Sequence, residues 1–538
     1  MSNIIEGLSQ NVMVDKEKCI YCGTCAEVCI MDNIRLKLAP CSKACPLGLN
    51  CQGYAQLIVR GEEKKALEVI YEKLPFPGIL GRVCHHPCES ECTRNDIDNH
   101  GLALRGLKRY LADTKQDEVS INCKLNEEKT EKVAIIGGGP AGMMAAYELR
   151  KKGYQTHIYE AGKRLGGMMT SCIPEFKLPG NVVQWEAKIL DEIGVKVFYN
   201  TTVGQDVTFE GIMEDYDAVI IAVGMQLDKK LGMDGEQAEN VYNALDFLSQ
   251  AKASQKDLTV GKRTLIIGGG NTAINAAQTA YRLGAEEIRI VSLEDRKSMP
   301  AYKWEISDVM EDGIIIENGW GPSKFYIEDN KVTGIEFKRC LEVLDKEGRF
   351  DPQFCEGETT MFSADTVIIA IGNESDLQLV SDSIVEVNGT CISIDPITKQ
   401  TNLEKVFAAG DVTPGLKTIV DAMAQGREAA ESVYRYFEEI PLDYARDRLS
   451  GCEVDFKVDT SEAKAIPPVR IGKLEGDERR SFKETELCMS KEQADLEAKR
   501  CISCGEAHGK FRTCWSCLPC EVECPQEAIH VKIPYLMR

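Results

Sequence analysis

The stretch KVAIIGGGPAGMMAAYELRKKG (132–153) decides the fold. Its β-branched start predicts a buried strand, its glycines predict a tight turn, and its alanine-rich remainder predicts a helix. Gly137, Gly139 and Gly142 have G-x-G-x-x-G spacing, so the first makes the turn, the second lets a pyrophosphate approach, and the third lets helix pack on strand. Glu160 ends the next strand about 20 residues on, where a carboxylate holds a ribose hydroxyl. The stretch predicts a dinucleotide-binding fold; a glycine-rich turn without a ligand is the alternative.

A second stretch of the same kind, RTLIIGGGNTAINAAQTAYRLG, covers residues 263–284, with Gly268, Gly270 and Ala273 at the three loop positions. Two dinucleotide folds in one chain, the second inserted in the first, are the plan of a flavin–nicotinamide reductase. The later stretch VFAAGD places Asp411 to contact the ribityl or pyrophosphate part of FAD. The long helix that follows, from about Ile419 to Phe437, points its N-terminus at the flavin.

The strand after the second loop, EIRIVSLEDRKSMPA, carries Glu294 near its end. A carboxylate there accepts from the adenosine 2′-OH and repels a 2′-phosphate, which favours NAD(H) over NADP(H). Arg296 and Lys297 follow closely, so the repulsion is not clean. That all three are merely surface charges of a strand–loop junction is an interpretation that stays open.

Composition narrows the class of protein. A chain of 538 residues is too long for one core, so we expect several domains. The formal net charge of −21 argues against nucleic acid or an anionic membrane surface as partner. No run reaches the roughly 18 apolar residues of a membrane span, and the N-terminus lacks a signal-peptide pattern. We therefore expect a cytoplasmic protein, whose 23 cysteines indicate metal sites and not disulfides.

Both ends of the chain carry the same cysteine pattern, C-x2-C-x2-C-x3-C. It is formed by Cys19, Cys22, Cys25 and Cys29, and again by Cys514, Cys517, Cys520 and Cys524. This is the bacterial ferredoxin run, in which three thiolates hold one [4Fe–4S] cube and the fourth serves the other cluster. The two ends are therefore predicted to form one ferredoxin-like unit; a pair of zinc sites is the alternative.

Several motifs in residues 39–440 together resemble one family. They are CPLG (45–48), GRVCHHPCESEC (81–92), GGGPAG (137–142), LGGMM with IPEFKLP (165–179), GGGNTA (268–273), MPA (299–301) and AAGD (408–411). The chain resembles the glutamate synthase small subunit, the N-terminal half of dihydropyrimidine dehydrogenase and the large subunit of NADH-dependent ferredoxin–NADP oxidoreductase. The resemblance implies that the first fold binds FAD and the second the nicotinamide. Where many members carry two arginines, Leu293 and Glu294 stand here, which supports NADH.

Motifs and resemblance together give the predicted cofactor contacts. They are Gly137, Gly139, Pro140, Ala141, Gly142, Glu160, Gly166, Gly167, Lys177, Gly268, Gly270, Asn271, Thr272, Ala273, Glu294, Arg296, Gly372, Gly410 and Asp411.

The resemblance also implies a helical domain with two clusters near the FAD. Cys45, Cys84 and Cys88 match three ligands of one cluster, and Cys41 and Cys92 match two ligands of the other. The family's CxxC upstream of Cys41 is missing, so we expect the late pair Cys501 and Cys504 to complete that cluster.

A second departure concerns the other cluster of this domain. The position of a Glu or Gln ligand in relatives reads Lys108, and a protonated lysine cannot ligate iron. Cys51 is extra and is expected to take that role; a buried small apolar residue is the alternative. The sixteen predicted ligands suffice for four clusters, of which the two at the ends are the minimum. Seven cysteines receive no role: Cys123, Cys172, Cys340, Cys355, Cys391, Cys452 and Cys488.

The expected fold class is α/β, with a nicotinamide domain inserted in an FAD domain. The expected segments are a ferredoxin-like segment (1–38), a helical Fe–S domain (39–125), an FAD domain (126–246 and 365–450), an NAD(P)H domain (247–364), a linker (451–488) and a second ferredoxin-like segment (489–538).

The expected chemistry is electron transfer. NADH gives two electrons as hydride and clusters take one at a time, so FAD must stand between them, and no acid–base triad is expected. The leading hypothesis is an electron-transfer subunit of a larger complex, or an NADH–ferredoxin oxidoreductase, with ferredoxin or other redox subunits as partners. The alternatives are a stand-alone flavin reductase of a small molecule, a glutamate synthase small subunit, and a scaffold with an idle flavin fold. The direction of flow and electron bifurcation stay open.

Overall fold

The computed structural model describes residues 11–15, 18–30, 33–119, 121, 125–254, 258–380, 384–415, 418–446, 452–509, 514 and 516–533; Cys123 lies outside them. Two parallel sheets with helices on their faces form the centre, so the predicted α/β fold class is confirmed. None of the helices in these ranges combines the length and the apolar character that a bilayer crossing requires.

The first nucleotide-binding fold is built on a five-stranded parallel sheet. Its strands, in spatial order, are Val406–Ala408, Ala218–Ile221, Lys132–Ile136, Gln155–Glu160 and Lys196–Tyr199. The main helices of this fold are Pro140–Lys151, Gly180–Glu192, Phe209–Asp215 and Ile419–Phe437. The last of these has the bounds that the sequence predicts, and it packs against Pro140–Lys151.

The second nucleotide-binding fold has a matching five-stranded parallel sheet. The strand order is Ile315–Asn318, Glu287–Ser292, Arg263–Ile267, Thr366–Ile369 and Val241–Asn243. Its helices are Ala244–Ala253, Asn271–Arg282 and Lys303–Glu311. An antiparallel sheet of Trp320–Glu328, Lys331–Leu344 and Phe350–Ser363 extends from it.

The sheet pairing places one predicted strand in the second fold and not in the first. Thr366–Ile369, assigned above to the FAD domain, pairs in parallel with Arg263–Ile267 in the second sheet, and Val241–Asn243 pairs with its other edge. Four consecutive apolar residues suit the centre of either sheet, so only the hydrogen-bond register decides. The sheet of the second fold therefore includes strands on both sides of the predicted segment 247–364.

The helical domain precedes the first fold. Its helices are Pro40–Ala44, Cys51–Val59, Glu63–Tyr71, Pro77–Val83, Pro87–Ser90, Asn95–Asp98 and Leu104–Lys115. The stretch GYAQLIVRGEEKKALEVIYEKL (53–74) contributes to two helices, because Gly61, at φ 72°, turns the chain between them. The late helix Lys491–Ala498 packs on this domain, against Cys51–Val59 and Leu104–Lys115.

The two ends of the chain pair to form the terminal unit. Strand Val12–Val14 is antiparallel to Ile529–Val531, and Ile34–Lys37 is antiparallel to Glu506–Gly509. Cys452–Glu453 adds a parallel edge to the second pair. The short helices Thr24–Glu27 and Pro519–Val522 contact each other across this unit.

The segment 469–488 connects the helical domain to the second fold, and we call it the strap. Within it, Glu486 pairs with Arg105 at 2.6 Å and Glu484 pairs with Arg82 at 2.8 Å, both in the helical domain. Lys473 pairs with Asp308 of the second fold. The stretch that the sequence suggests to be a surface linker therefore fastens two parts of the molecule.

Candidate redox site

The first glycine loop separates what the protein requires from what a ligand requires. Gly137 has φ 106°, and a Cβ there would lie 2.5 Å from the carbonyl oxygen of Ala222. A Cβ on Gly142 would lie 2.0 Å from the carbonyl oxygen of Gly137. A Cβ on Gly139, in contrast, meets only the Cα of Gly167, at 4.0 Å. The chain itself demands glycine at 137 and 142, whereas the space beside Gly139 is free for a pyrophosphate.

Glu160 is held over this loop by backbone groups. Its carboxylate accepts the N–H of Gly138 at 2.8 Å and the N–H of Gly162 at 2.6 Å. Gly166, at φ 121°, donates its N–H to the carbonyl of Gly138 at 2.8 Å and so closes the far side of the loop. The carboxylate is fixed where it can also accept a ribose hydroxyl.

A cavity of about 1050 Å³ opens from this loop. This volume is suited to a cofactor of dinucleotide size. The predicted contacts that line it are Gly137, Gly139, Pro140, Ala141, Glu160, Gly167, Thr272, Gly372, Gly410 and Asp411. The helix Ile419–Phe437 begins at this cavity, where Thr418, Ile419 and Ala422 line the wall. Its N-terminus supplies positive partial charge to the ligand.

The second loop repeats the first but is more open. Gly268 has φ 134°, and a Cβ there would lie 2.1 Å from the carbonyl oxygen of Ala370. A Cβ on Gly270 would meet nothing within 4 Å. The third position is Ala273, which is fully buried, so this helix tolerates a side chain where Gly142 tolerates none. The carboxylate of Glu294 lies over the loop, 2.7 Å from a Cβ built on Gly269.

The charged side chains beside the second loop differ in the contacts they make. In the described part of the chain, the Glu294 side chain accepts no hydrogen bond, so its carboxylate is open to a ligand. Arg296 and Lys297 are exposed, and the Arg296 guanidinium contacts the sulfur of Met310 instead of Glu294.

Lys177 does not line the large cavity. It pairs with Glu305 of the second fold and lines a second cavity of about 250 Å³, together with Asn271 and Cys84. Ile419 lines both cavities. The cysteine-bearing helical domain therefore adjoins the flavin-sized cavity through this second space.

The terminal cysteines exchange their fourth members. One small cavity is lined by Cys19, Cys22, Cys25 and, from the other end of the chain, Cys524. Another is lined by Cys514, Cys517, Cys520 and, in return, Cys29. Strand pairing between Val12–Val14 and Ile529–Val531 brings the two runs together.

The helical domain assembles cysteines in the same way. A third small cavity is lined by Cys41, Cys51, Cys92, Cys501 and Cys504. Gln52 holds the late pair in place, because its side-chain amide donates to the carbonyl of Gly505 at 2.9 Å and accepts its N–H at 2.7 Å. The helix Cys51–Val59 thus anchors the distant residues 501–505.

Cys51 lies between two groups of cysteines. It is buried, and the neighbouring thiols of Cys41 and Cys88 both affect the pKa of its own thiol, which burial raises. Cys88 is in turn within electrostatic range of Cys45, which also acts on Cys84. Because Cys41 already has three other cavity-lining partners, Cys51 is free to serve the group of Cys45, Cys84 and Cys88.

The thiols need a cation to ionise. Burial raises the pKa of Cys25 to about 12, that of Cys504 to about 12 and that of Cys84 to about 11. Such thiols stay protonated at neutral pH unless bound iron favours the thiolate. Within the described ranges, no three histidine, cysteine or acidic side chains converge on a point where one metal ion would sit. Three groups of cysteines line small cavities instead, and this arrangement fits polynuclear clusters.

Two features of the site have no signal in the sequence. The ring centroids of Tyr302 and Trp304, in the second fold, are 4.6 Å apart, and the rings stack. Trp304 also packs on His86, with the ring centroids 4.3 Å apart, and His86 lies between Cys84 and Cys88 in the sequence. His85 stacks on Tyr302 at 5.9 Å, so both histidines pack against aromatic rings of the second fold. The strap acids are the second feature. Cysteine spacing reveals neither, because both arise from contacts between distant segments.

Comparisons with known proteins agree with this geometry. Residues 131–426, more than half of the chain, match the family described as "Pyridine nucleotide-disulphide oxidoreductase", and residues 3–120 match "Dihydroprymidine dehydrogenase domain II, 4Fe-4S cluster". The chain therefore belongs to the pyridine nucleotide-disulphide oxidoreductase family, and it carries a 4Fe–4S domain. No disulfide is formed by the cysteines that the structure describes.

Curated relatives share most of the chain. It is 33% identical over 500 residues to the NADP(+)-dependent formate dehydrogenase subunit beta of Moorella thermoacetica, covering 87% of this chain and 70% of that one. It is 33% identical over 402 residues to the NAD-dependent dihydropyrimidine dehydrogenase subunit PreT of Escherichia coli K12, covering 74% and 91%. It is also 33% identical over 414 residues to the glutamate synthase [NADPH] small chain of Azospirillum brasilense, covering 74% and 86%. The family resemblance inferred from the motifs is confirmed.

A solved structure shares the central fold. FprA of Mycobacterium tuberculosis, in complex with NADPH, superposes with a TM-score of 0.50 at 18% identity, covering 58% of this chain and 85% of that one. The family matches and the curated relatives show that the chain is an oxidoreductase of the FAD, pyridine nucleotide and 4Fe–4S class.

Proposed function

We propose that this chain takes electrons from NADH at FAD and passes them through four [4Fe–4S] clusters to a redox partner protein. The observation that carries the proposal is the series of four cysteine groups that begins beside the flavin-sized cavity and ends at exposed cysteines. FAD, when bound, accepts hydride as an electron pair and releases single electrons. The residues of the chain position the cofactors and exclude water.

The proposed ligand sets follow from the cysteines that lie together. They are Cys45, Cys51, Cys84 and Cys88; Cys41, Cys92, Cys501 and Cys504; Cys19, Cys22, Cys25 and Cys524; and Cys29, Cys514, Cys517 and Cys520. We name these sites one to four, in that order.

The order of the sites follows from residues shared between neighbours. Cys84 of site one lines the second cavity, which shares Ile419 with the flavin-sized cavity, and Cys51 connects site one to site two. Tyr21, which is buried, is within electrostatic range of Cys41 in site two and of Cys19 and Cys25 in site three. Cys25 is also within range of Cys520 in site four. Electrons would therefore leave through the terminal unit.

The surface of the terminal unit suits a protein partner. Cys22 and Cys517 are exposed. Ile30 and Val522, next to these sites, are 74% and 75% exposed and add apolar surface beside them. A ferredoxin or a redox subunit of a larger complex that covers these side chains would receive the electrons. The relatives whose names designate them as subunits support this partner class.

Glu294 supports NADH as the donor. Its unengaged carboxylate lies over the second glycine loop, where it accepts a ribose hydroxyl and repels a phosphate. Relatives include both NAD-dependent and NADPH-dependent proteins. The selectivity of this chain therefore rests on its own residues.

Paired alanine substitutions test the ligand sets. If the ends exchange their fourth cysteines, Cys19→Ala with Cys524→Ala removes one cluster, or about four irons per chain. Cys19→Ala with Cys29→Ala then removes two clusters. Each run holding its own cluster would reverse the two results, and iron counting with EPR spectroscopy distinguishes them.

A further inference from the structure

Lys108 is a buried cation without a counter-ion in the protein. It lies on the helix Leu104–Lys115 and is only 5% exposed. Among the residues that the structure describes, it makes no hydrogen bond and no ion pair. An ammonium group removed from water costs several kcal/mol unless an opposite charge compensates for it.

The groups around Lys108 point to site one. The helix Leu104–Lys115 packs against Pro77–Val83, whose C-cap is Cys84, and against Pro87–Ser90, which contains Cys88. Lys108 is close enough to Cys84 for its positive charge to counter the rise in the pKa of that thiol that burial causes. Glu89 is the other group on which Lys108 acts, but its carboxylate accepts the N–H of Arg105 at 2.7 Å and lies beyond ion-pair distance from Lys108. The side chain of Arg105 is itself paired with Glu486.

Site two shows the contrasting arrangement. Arg500 is fully buried near Cys92, but its guanidinium pairs with Glu497 at 2.5 Å and with Asp98 at 3.1 Å. Arg94, near Cys501, also pairs with Asp98. The cations of site two are therefore neutralised by carboxylates, whereas the charge of Lys108 is left for the thiolates of site one.

We propose that Lys108 is the counter-charge of the cluster at site one and raises its reduction potential above the value it would have beside a neutral residue. A cube held by four thiolates carries net negative charge, which increases when it accepts an electron, so a fixed ammonium group stabilises the reduced form. Site one thereby becomes the favoured first acceptor of single electrons from the flavin. This inference rests on the proposed ligand set of site one.

The test is a redox titration of the holoprotein followed by EPR. Cys84→Ala first identifies the signal of site one; if no signal is lost, the ligand set itself is wrong, and this is known before Lys108 is examined. In Lys108→Met, the reduced-to-oxidised ratio of that signal at a fixed potential is expected to fall about tenfold, which corresponds to about 59 mV for one electron. Lys108→Arg keeps the charge and is expected to keep the potential.

Lys65→Met is the matched control, because it removes one positive charge from an exposed position of the same domain. It is expected to leave the signal of site one in place. If Lys108→Met fails to fold, Lys108→Leu, a neutral residue of another shape, carries the comparison. An unchanged potential in either neutral variant, or an equal shift in Lys65→Met, overturns the proposal.

Discussion

The two nucleotide-binding folds start from the same loop but differ in how far the protein has already completed it. In the first, the Glu160 carboxylate is held by two backbone N–H groups and the loop opens into a cavity of about 1050 Å³. In the second, Gly270 has open space beside it and the Glu294 side chain accepts no hydrogen bond from the described residues. We therefore expect the first fold to hold a cofactor that stays bound and the second fold to hold one that exchanges.

The largest effect is expected at the third loop position. In Gly142→Ala, the new Cβ would lie 2.0 Å from the backbone oxygen of Gly137, which neither helix nor strand can avoid. We expect a loss of about 3 kcal/mol in the free energy of unfolding, with loss of bound FAD. Thermal unfolding and the flavin content of purified protein measure both. The second fold already carries Ala273 at this position, so Ala273→Gly is the control and keeps FAD.

The second loop position separates ligand from fold. Gly139 and Gly270 both have negative φ, at −75° and −88°, so alanine is tolerated by the backbone. We expect Gly139→Ala to fold normally and to lose affinity for FAD by about tenfold or more, because its methyl group occupies the place of the pyrophosphate. Gly270→Ala should keep FAD and raise the KM for NADH. Unfolding of Gly139→Ala at a lower temperature would show that the glycine serves the fold.

The selectivity for NADH over NADPH is expected to depend on the second fold. Glu294→Gln removes the charge that repels a 2′-phosphate, so the ratio of kcat/KM for NADPH to that for NADH should rise about tenfold. Glu287→Gln is the control, because this exposed carboxylate begins the strand Glu287–Ser292 that leads to Glu294, and it should leave the ratio unchanged. A ratio unmoved by Glu294→Gln would assign selectivity to Arg296 or Lys297.

The smallest effect is expected at the contact between the two folds. Cys172 is buried there, with its sulfur 3.8 Å from the carbonyl oxygen of Leu245. It has no disulfide partner in the part of the chain that the structure describes. Cys172→Ala should therefore change the rate of flavin reduction by NADH by no more than about twofold. A large loss would indicate thiol chemistry next to the flavin.

Sequence spacing was sufficient for local features and insufficient for contacts across the chain. The loops at Gly137 and Gly268 and the bounds of the helix Ile419–Phe437 are local, because each depends on residues within one or two turns. The placement of Thr366–Ile369 in the second sheet is not local, since an all-apolar strand fits either sheet. The same holds for the packing of Trp304 on His86 and for the strap.

The charge environment of the cysteine groups was also beyond the sequence. Lys108 is recognisable as a departure from the family pattern, but its burial and its missing counter-ion are tertiary facts. Arg500 shows why, because this buried arginine, which lies near Cys92, is neutralised by Glu497, a neighbour that spacing alone does not single out.

In the proposed function, NADH reduces the flavin and electrons then reach the clusters. The most direct test is an anaerobic titration of the purified holoprotein with NADH and, separately, with NADPH, following flavin absorption and cluster EPR together. We expect NADH to bleach the flavin faster than NADPH does, and we expect the EPR signals of the clusters to appear afterwards. A flavin that stays oxidised with either nucleotide, while dithionite reduces the clusters, would contradict it.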